Sequence, residues 1–303
     1  MTSSPTPPMS ATASTPPTSP APQSPRAPRR GRRAAAAAAA ALAVTATLAV
    51  GQSQAGAAPA PGSPAADTAS AAAALAECTA DGFCEDFEAQ TGTGLSGRWT
   101  ASAPNCTGTG AASVDSAVAH TGAKSLRIDG TAGYCNHIFA ATDLTEVAGS
   151  SSLHVRFYVR HTTALPAAHV TFLAMHDPND GGKDLRMGGQ NGALQWNRES
   201  DDATLPEQSP NGVALSRPLP LDEWTCVEYG IEGSTLETRV NGEVVEGLVV
   251  DGTPTHDIDR QWLNKAGWSP APTDLRLGWE SYGDGADTLW YDDVAVGTSP
   301  IGC

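Results

Sequence analysis

The run GGKDLRMGGQNGALQWNRESDD, residues 181–202, crowds Lys183, Asp184, Arg186, Gln190, Gln195, Asn197, Arg198, Glu199, Asp201 and Asp202 around Trp196. Residues of these types serve a catalytic cleft, a sugar-binding face, or the solvated side of a sheet with compensating charges. Hydrolysis of a glycosidic bond needs two carboxyl groups about 5–10 Å apart across a cleft. Glu199, Asp201 and Asp202 are candidates for one, with Glu280 from a later segment for the other. Binding a sugar requires less: amphipathic aromatic rings to stack on, and amides or acids to meet hydroxyls. Trp196, Trp262, Trp268 and Trp279 offer rings, and Asn197, Arg198 and His169 offer polar contacts. Trp224 and Trp290, with apolar neighbours, are expected in the core.

The elements that must position these residues read as strands. In KDLRMGGQ, Leu185 and Met187 share one parity, while Asp184, Arg186 and Gln190 share the other. If the first pair packs inside, the second set stands together on an outer face, and Gly188-Gly189 leaves backbone open beside it. SSLHVRFYVRHT alternates, setting Leu153, Val155, Phe157 and Val159 against His154, Arg156, Tyr158 and Arg160. KSLRIDG, TDLRLGWES and DTLWYDDVAVG are further strands, and Asn241-Gly242 between two alternating runs favours a type I′ hairpin. Only HDIDRQWLNKAG suggests a short helix. Many strands with a turn every ten or so residues predict an antiparallel sandwich or barrel. The polar stripe from His154 to Arg160 lines one sheet face; parity does not say whether it shares the cleft of Arg186.

The chain of 303 residues begins differently. Residues 1–28 are rich in Ser, Thr, Pro and Ala and cannot bury a core. Arg29, Arg30, Arg32 and Arg33 then precede the uncharged run Ala34–Val50 and the small residues Ala55-Gly56-Ala57. That order is an export signal over 1–57, followed by a disordered Pro/Ala/Ser linker over 58–77 and one folded domain over 78–303. Every acidic residue lies beyond residue 57, leaving residues 58–303 with 13 basic against 33 acidic side chains. Such a field repels nucleic acid and acidic membranes. It also disfavours polyanionic polysaccharides unless cations are focused at one site. The product is expected to be secreted, extracellular, free of the membrane once the signal is cleaved, and monomeric. Six cysteines, all after the linker, fit an oxidising compartment. Proximity suggests pairing Cys78 with Cys84 and Cys106 with Cys135, leaving Cys226 for Cys303.

The segments CEDFE, GYCNHIF, HVTFLAMHDPNDGGKDLRMGGQNGALQWNRESDDATLPE, EWTCVEYGIEG and LRLGWESYGDGADTLWYDDVAVGTSPIGC resemble the core domain of the secreted cellulose-induced protein family. This family is polysaccharide-lyase-like, and the likeness spans essentially all of 78–303. It implies an all-β fold, a concanavalin A-like jelly-roll sandwich of two antiparallel sheets, one of them curved into a cleft. It implies a structural calcium ion held by Glu88 and Asp292, with loop oxygens from AHTGAK. Asp292 has the parity of Val294 and Val296, so its side chain is expected to point inward. It also implies a cleft built on Arg186, Gln190, Asp202 and Tyr282, with Asp184 where fungal members carry a histidine.

A lyase acting on a polyuronate removes the proton at C5 and expels the sugar linked through O4. Arg186 and Gln190 suit the grip on the uronate carboxylate. Tyr282, or else His169 or His137, suits the proton transfers, while Asp184 or Asp202 can orient Arg186. The expected partner is a polysaccharide, either a polyuronate or a plant cell-wall glycan. A non-catalytic glycan-binding domain is the alternative to a lyase. A glycoside hydrolase ranks third, because no E-x-D-x-x-E strand motif is present; Ser-His-Asp chemistry is set aside separately, because no nucleophile elbow is present.

Overall fold

The structure is a computed structural model that describes residues 81–283 and 285–303. The expected export signal, the linker and Cys78 lie outside the described residues. Among the described residues fifteen strands carry the fold: β1 (Phe83–Glu85), β2 (Thr100–Ser102), β3 (Ala111–Asp115), β4 (Ser125–Gly130), β5 (Asn136–Asp143), β6 (Ser152–His161), β7 (Val170–Asp177), β8 (Lys183–Gln190), β9 (Ala193–Arg198), β10 (Ala203–Leu205), β11 (Thr225–Glu232), β12 (Thr235–Val240), β13 (Glu243–Val250), β14 (Asp274–Ser281) and β15 (Asp287–Gly297). They form two antiparallel sheets, the sandwich expected from the sequence. One runs β13-β12-β11-β6-β15-β4-β3, with β1 added beside β15; the other runs β10-β9-β8-β7-β14-β5-β2. Among the described residues no helix is long and apolar enough to cross a membrane.

The alternation in the sequence fixes what lies between the sheets. Leu153, Val155, Phe157 and Val159 of β6 face Leu185 and Met187 of β8 and Leu275, Leu277 and Trp279 of β14 in one buried cluster. Two aromatic residues with a polar tip span the layers and meet a partner there, whereas the indole N–H groups of Trp262 and Trp279 are buried without one. Tyr291 of β15 donates to the carbonyls of Phe172 and Gly278 at 2.9 and 3.2 Å, and Trp196 of β9 donates to Thr238 Oγ1 of β12 at 2.9 Å. Asn241 and Gly242 both adopt positive φ, 51° and 80°, as the type I′ turn between β12 and β13 requires. Disulfides join Cys106 to Cys135 and Cys226 to Cys303. Cys84 is disulfide-bonded as well, and its expected partner lies outside the described residues.

Three expectations change. HDIDRQWLNKAG forms turns with a single 3₁₀ turn at Trp262–Asn264, because Trp262 is drawn into the core. The tryptophans divide differently from the sequence reading. Trp196, Trp262, Trp268 and Trp279 are buried in the core, Trp224 is partly exposed, and Trp290, buried as expected, packs on an outer face near Arg127 and Arg160. Indole area removed from water stabilises more than an exposed ring does, so the four rings offered to a sugar are spent on packing. Asp292 does not share the orientation of Val294 and Val296. A bulge between Asp292 and Ala295, with Asp293 at φ 46°, resets the parity and pairs Asp292 with outward-facing Tyr158.

Candidate functional site

The polar residues of Gly181–Asp202 and those of β14 meet on the outer face of the seven-stranded sheet. Strand β7 lies between β8 and β14, and its small residue Ala174 is cross-strand partner to both Arg186 and Arg276. Thr171 likewise stands between Gly188 and Glu280, and Asn197 pairs with Arg186 from the β9 side. Paired residues share a face, so Asp184, Arg186, Gln195, Asn197, Arg276 and Glu280 form one polar floor. Gln190 stands two same-face positions beyond Arg186, roughly 13 Å along the strand, with Gly188 between them.

Arg186 is the hub. Its Nη1 donates to the Tyr282 hydroxyl at 3.0 Å and lies 3.5 Å from Glu280, while Nη2 lies 3.1 Å from Glu199. Burial works against the guanidinium charge, but Glu280, Tyr282 and Glu199 outweigh it and hold its pKa above the ordinary value. Tyr282 donates in turn to Glu280. Burial and the Glu280 charge keep the phenol protonated well above its usual range. The second Glu280 oxygen is 3.6 Å from His137 Nδ1, which itself lies 2.9 Å from the Pro104 carbonyl and so carries the proton there. His169 stacks on Tyr282 with ring centroids 5.5 Å apart and planes 9° apart. Burial and then the Arg186 charge push His169 down to about 4, so its imidazole is neutral at ordinary pH.

Asp184 has a different role from the one read in the sequence. It does not orient Arg186; its carboxylate accepts two hydrogen bonds from Arg276, at 3.0 and 2.6 Å, in a buried pair. Asp202 is exposed, at φ 56°, and accepts from Asn197 Nδ2 at 2.9 Å. Arg198 faces the core side with Trp196. Its guanidinium is bonded to Asp201 and the Trp262 carbonyl and lies 4.8 Å from the Trp262 ring. Neither Trp196 nor Arg198 lies on the polar floor, so both leave the set of sugar contacts. His154, Arg156, Tyr158 and Arg160 belong to β6 of the other sheet and line no part of it.

Several buried polar atoms here have no partner: Arg186 Nε, both amide atoms of Gln195, Asn197 Oδ1, Thr171 Oγ1 and His169 Nε2. Interiors seldom leave such groups unsatisfied, because each costs about 1–3 kcal/mol. Such atoms gather on this sheet face, and others lie at His154, Arg156 and Arg160 of β6 in the opposite sheet. Arg276 and Glu280, the residues that complete the floor, carry a signal in TDLRLGWES: they alternate with Leu275, Leu277 and Trp279.

The residues expected to hold calcium meet at one loop. Asp292 Oδ2 accepts from the backbone N–H of His120 and Thr121, and Glu88 Oε1 accepts from Ala123 and Lys124. Gly122, at φ 61°, lies between these contacts, where a Cβ would come within 2.5 Å of Glu88 Oε1. Asp292 is fully buried beside Asp293, and burial followed by that neighbouring charge pushes it up to about 8. The 120–124 loop thus turns backbone N–H groups toward both acids. Among the described residues, however, no cluster of three or more His, Cys, Asp or Glu side chains forms a site.

A family profile described as polysaccharide-lyase-like, Cip1-like, core domain, matches residues 86–299. Among solved structures, one described as cellulose induced protein, Cip1, is 39% identical with a TM-score of 0.67, covering 73% of this chain and 99% of its own. An endo-β-1,4-glucuronan lyase from the fungus Trichoderma reesei is 18% identical, with a TM-score of 0.40 over 72% of this chain and 95% of its own. The CBM22-1 xylan-binding domain of Paenibacillus barcinonensis Xyn10C is 14% identical, with a TM-score of 0.35 over 73% and 94%. No curated protein matches.

Proposed function

Because the chain belongs to the Cip1-like polysaccharide-lyase-like family, we propose that it is a secreted protein that cleaves a uronic-acid-containing polysaccharide by β-elimination. The observation that carries this reading is the contact between Arg186 and the Tyr282 hydroxyl at 3.0 Å, beside stacked, neutral His169. Sites with a protonated phenol and an unprotonated imidazole side by side hold an acid and a base ready together. With a uronate seated over Gly188, Arg186 meets the carboxylate and Gln190 the hydroxyls of the same or the next sugar. His169 takes the C5 proton, and the electron pair forms the C4–C5 double bond. The C4–O4 bond breaks, and Tyr282 gives its proton to the departing oxygen. Arg186 stabilises the negative charge gathering on the carboxylate, and Glu280 holds Tyr282 in place. Asp202, anchored by Asn197, borders the same site.

The experiment is incubation of the secreted protein with glucuronan, alginate, pectate and xylan, following ultraviolet absorbance from a C4–C5 double bond. Elimination is expected on one of the polyuronates and is expected to vanish in Arg186→Ala and Tyr282→Phe. Absence of the new absorbance on every substrate, with retained binding to xylan, overturns the assignment.

One observation favours a second reading, a non-catalytic glycan-binding domain. Arg186 already faces Glu199 and Glu280, and around it Asp184, Glu199, Asp202, Asp274 and Glu280 outnumber Lys183, Arg186 and Arg276, which suits a neutral glycan. Both readings share the secreted location, supported by two disulfides whose bonds persist in oxidising compartments. We also propose a structural calcium ion at Glu88, Asp292 and the carbonyls of the 120–124 loop. It would neutralise buried acids and tie β15 to that loop.

A further inference from the structure

Tyr134 is 77% exposed, the most exposed of the large apolar side chains among the described residues. The other such aromatic is Tyr282 at the cleft, and the two rings lie edge to face with centroids 6.3 Å apart. A ring left in water on a mobile loop would need no explanation, but this one sits on a loop fastened at several points. Cys135, the next residue, is disulfide-bonded to Cys106. Asn136 Nδ2 donates to the carbonyls of Ala132 and Gly133, at 2.6 and 3.1 Å, and its Oδ1 accepts from the Thr109 N–H at 3.3 Å. The Gly133 N–H donates to the Gly283 carbonyl at 2.7 Å, joining this loop directly to the one that carries Tyr282. The backbone geometry is demanding, with Gly133 at φ 110° and Cys135 at φ 72°.

From this we infer that Tyr134 is a sugar-stacking platform at the rim of the cleft, taking the unit of the polysaccharide next to the one seated at Arg186. An exposed ring held in a fixed orientation binds at little cost in conformational entropy. Its apolar face matches the C–H face of a pyranose ring, leaving the hydroxyls to water. Tyr282 is committed to the Arg186 centre instead, its hydroxyl bonded to Arg186 and Glu280 and one ring face stacked on His169. With the platform outside the Arg186 centre, the cleft takes interior stretches of a chain, and affinity grows with the number of sugars. The inference rests on the cleft reading above.

The test is calorimetric titration of the full secreted protein with glucuronan oligosaccharides and xylo-oligosaccharides of graded length. Tyr134→Ala, Tyr134→Phe and Arg186→Ala are compared with the unaltered chain. Tyr134→Ala is expected to weaken the longer oligosaccharides roughly three- to tenfold and to leave the shortest unchanged, while Tyr134→Phe keeps the gain with length. Equal affinities for Tyr134→Ala and the unaltered protein at every length, with Arg186→Ala weakened, overturn the platform and leave the cleft reading standing. A loss in Tyr134→Ala with none in Arg186→Ala supports the platform and overturns the placement of the site at Arg186. An unaltered protein that binds no oligosaccharide overturns both. Because Tyr134 is so exposed, melting temperatures of the variants are expected to match, which separates binding from folding.

Discussion

Asp184 stands where a proton-transfer group is expected, yet its surroundings are those of a structural ion pair, and the two roles separate in one experiment. The carboxylate and the Arg276 guanidinium side chains are 8% and 5% exposed and share two hydrogen bonds. Burial lowers the pKa of Arg276, but the bonds and charge of Asp184 outweigh it and raise the net value. Removing one partner of a buried pair typically costs about 3–5 kcal/mol, because the other charge is stranded. Here Asp274 stays 3.0 Å from Arg276 Nε and softens the loss, so Asp184→Asn is expected to cost about 3 kcal/mol. In a domain of this size that lowers the melting temperature by about 6–12 °C. The assay is thermal or urea unfolding of Asp184→Asn, Arg276→Met and the combined Asp184→Leu/Arg276→Met. The combined variant should recover most of the loss, since two apolar side chains strand no charge. An unchanged melting temperature in Asp184→Asn, together with abolished elimination, would refute the structural assignment and return Asp184 to the chemistry.

Three further outcomes are expected. Glu199→Gln removes the more accessible carboxylate competing for Arg186, its side chain 21% exposed against 3% for Glu280; affinity for polyuronate should rise roughly twofold to fivefold and that for xylan should not change. For His169, the folded pKa near 4 lies below the ordinary 6.5, so the unfolded chain binds more protons between those values. The stability it withdraws therefore grows as pH falls from 6.5 to 4, on the order of 3 kcal/mol in all. Urea unfolding at pH 7 and pH 4.5 should show that slope in the unaltered chain and a shallower one in His169→Phe; equal slopes count against the buried neutral imidazole. Chelation with EDTA should lower the melting temperature, and added calcium but not magnesium should restore it. An Asp292→Asn variant indifferent to both treatments is expected, and a chelator-insensitive unaltered protein removes the ion.

The period-2 rule carried the floor of the cleft and stopped where pairing between distant strands begins. Leu185 and Met187 separate from Asp184 and Arg186 by parity alone, and all four lie as that parity predicts. The partner of Asp184 does not follow from parity, because Arg276 is 92 residues away and reaches it across β7. Asp292 shows the rule failing inside one strand: a single bulge turned an inward reading into an outward one. For Trp196 a local clue was available, since Leu194 shares its parity and is buried with it. Arg198 follows the same parity and reaches its partners from the strand end, a position at which charge and core coexist.

The charge pattern ties these points to the choice between functions. Residues 58–303 carry a large excess of acid, and the same excess recurs around Arg186, where Asp184, Glu199, Asp202, Asp274 and Glu280 oppose Lys183, Arg186 and Arg276. Of these acids, Asp184 is committed to Arg276, and Asp202 accepts from Asn197. Glu280 is held by Tyr282, leaving Glu199 as the partly exposed carboxylate on the guanidinium. On the lyase reading proposed above, a sugar acid reaching Arg186 would displace Glu199 and need not disturb the rest. Glu199 is also held below the usual carboxylate range: burial opposes its charge, but the Asp184 N–H and Arg186 outweigh it. On that reading, discrimination between a uronate and a neutral sugar would reduce to an exchange of one carboxylate for another on Arg186. Low salt should leave that exchange little changed, because one negative charge replaces another, whereas simple attraction of a polyanion to an exposed arginine would weaken steeply as salt rises.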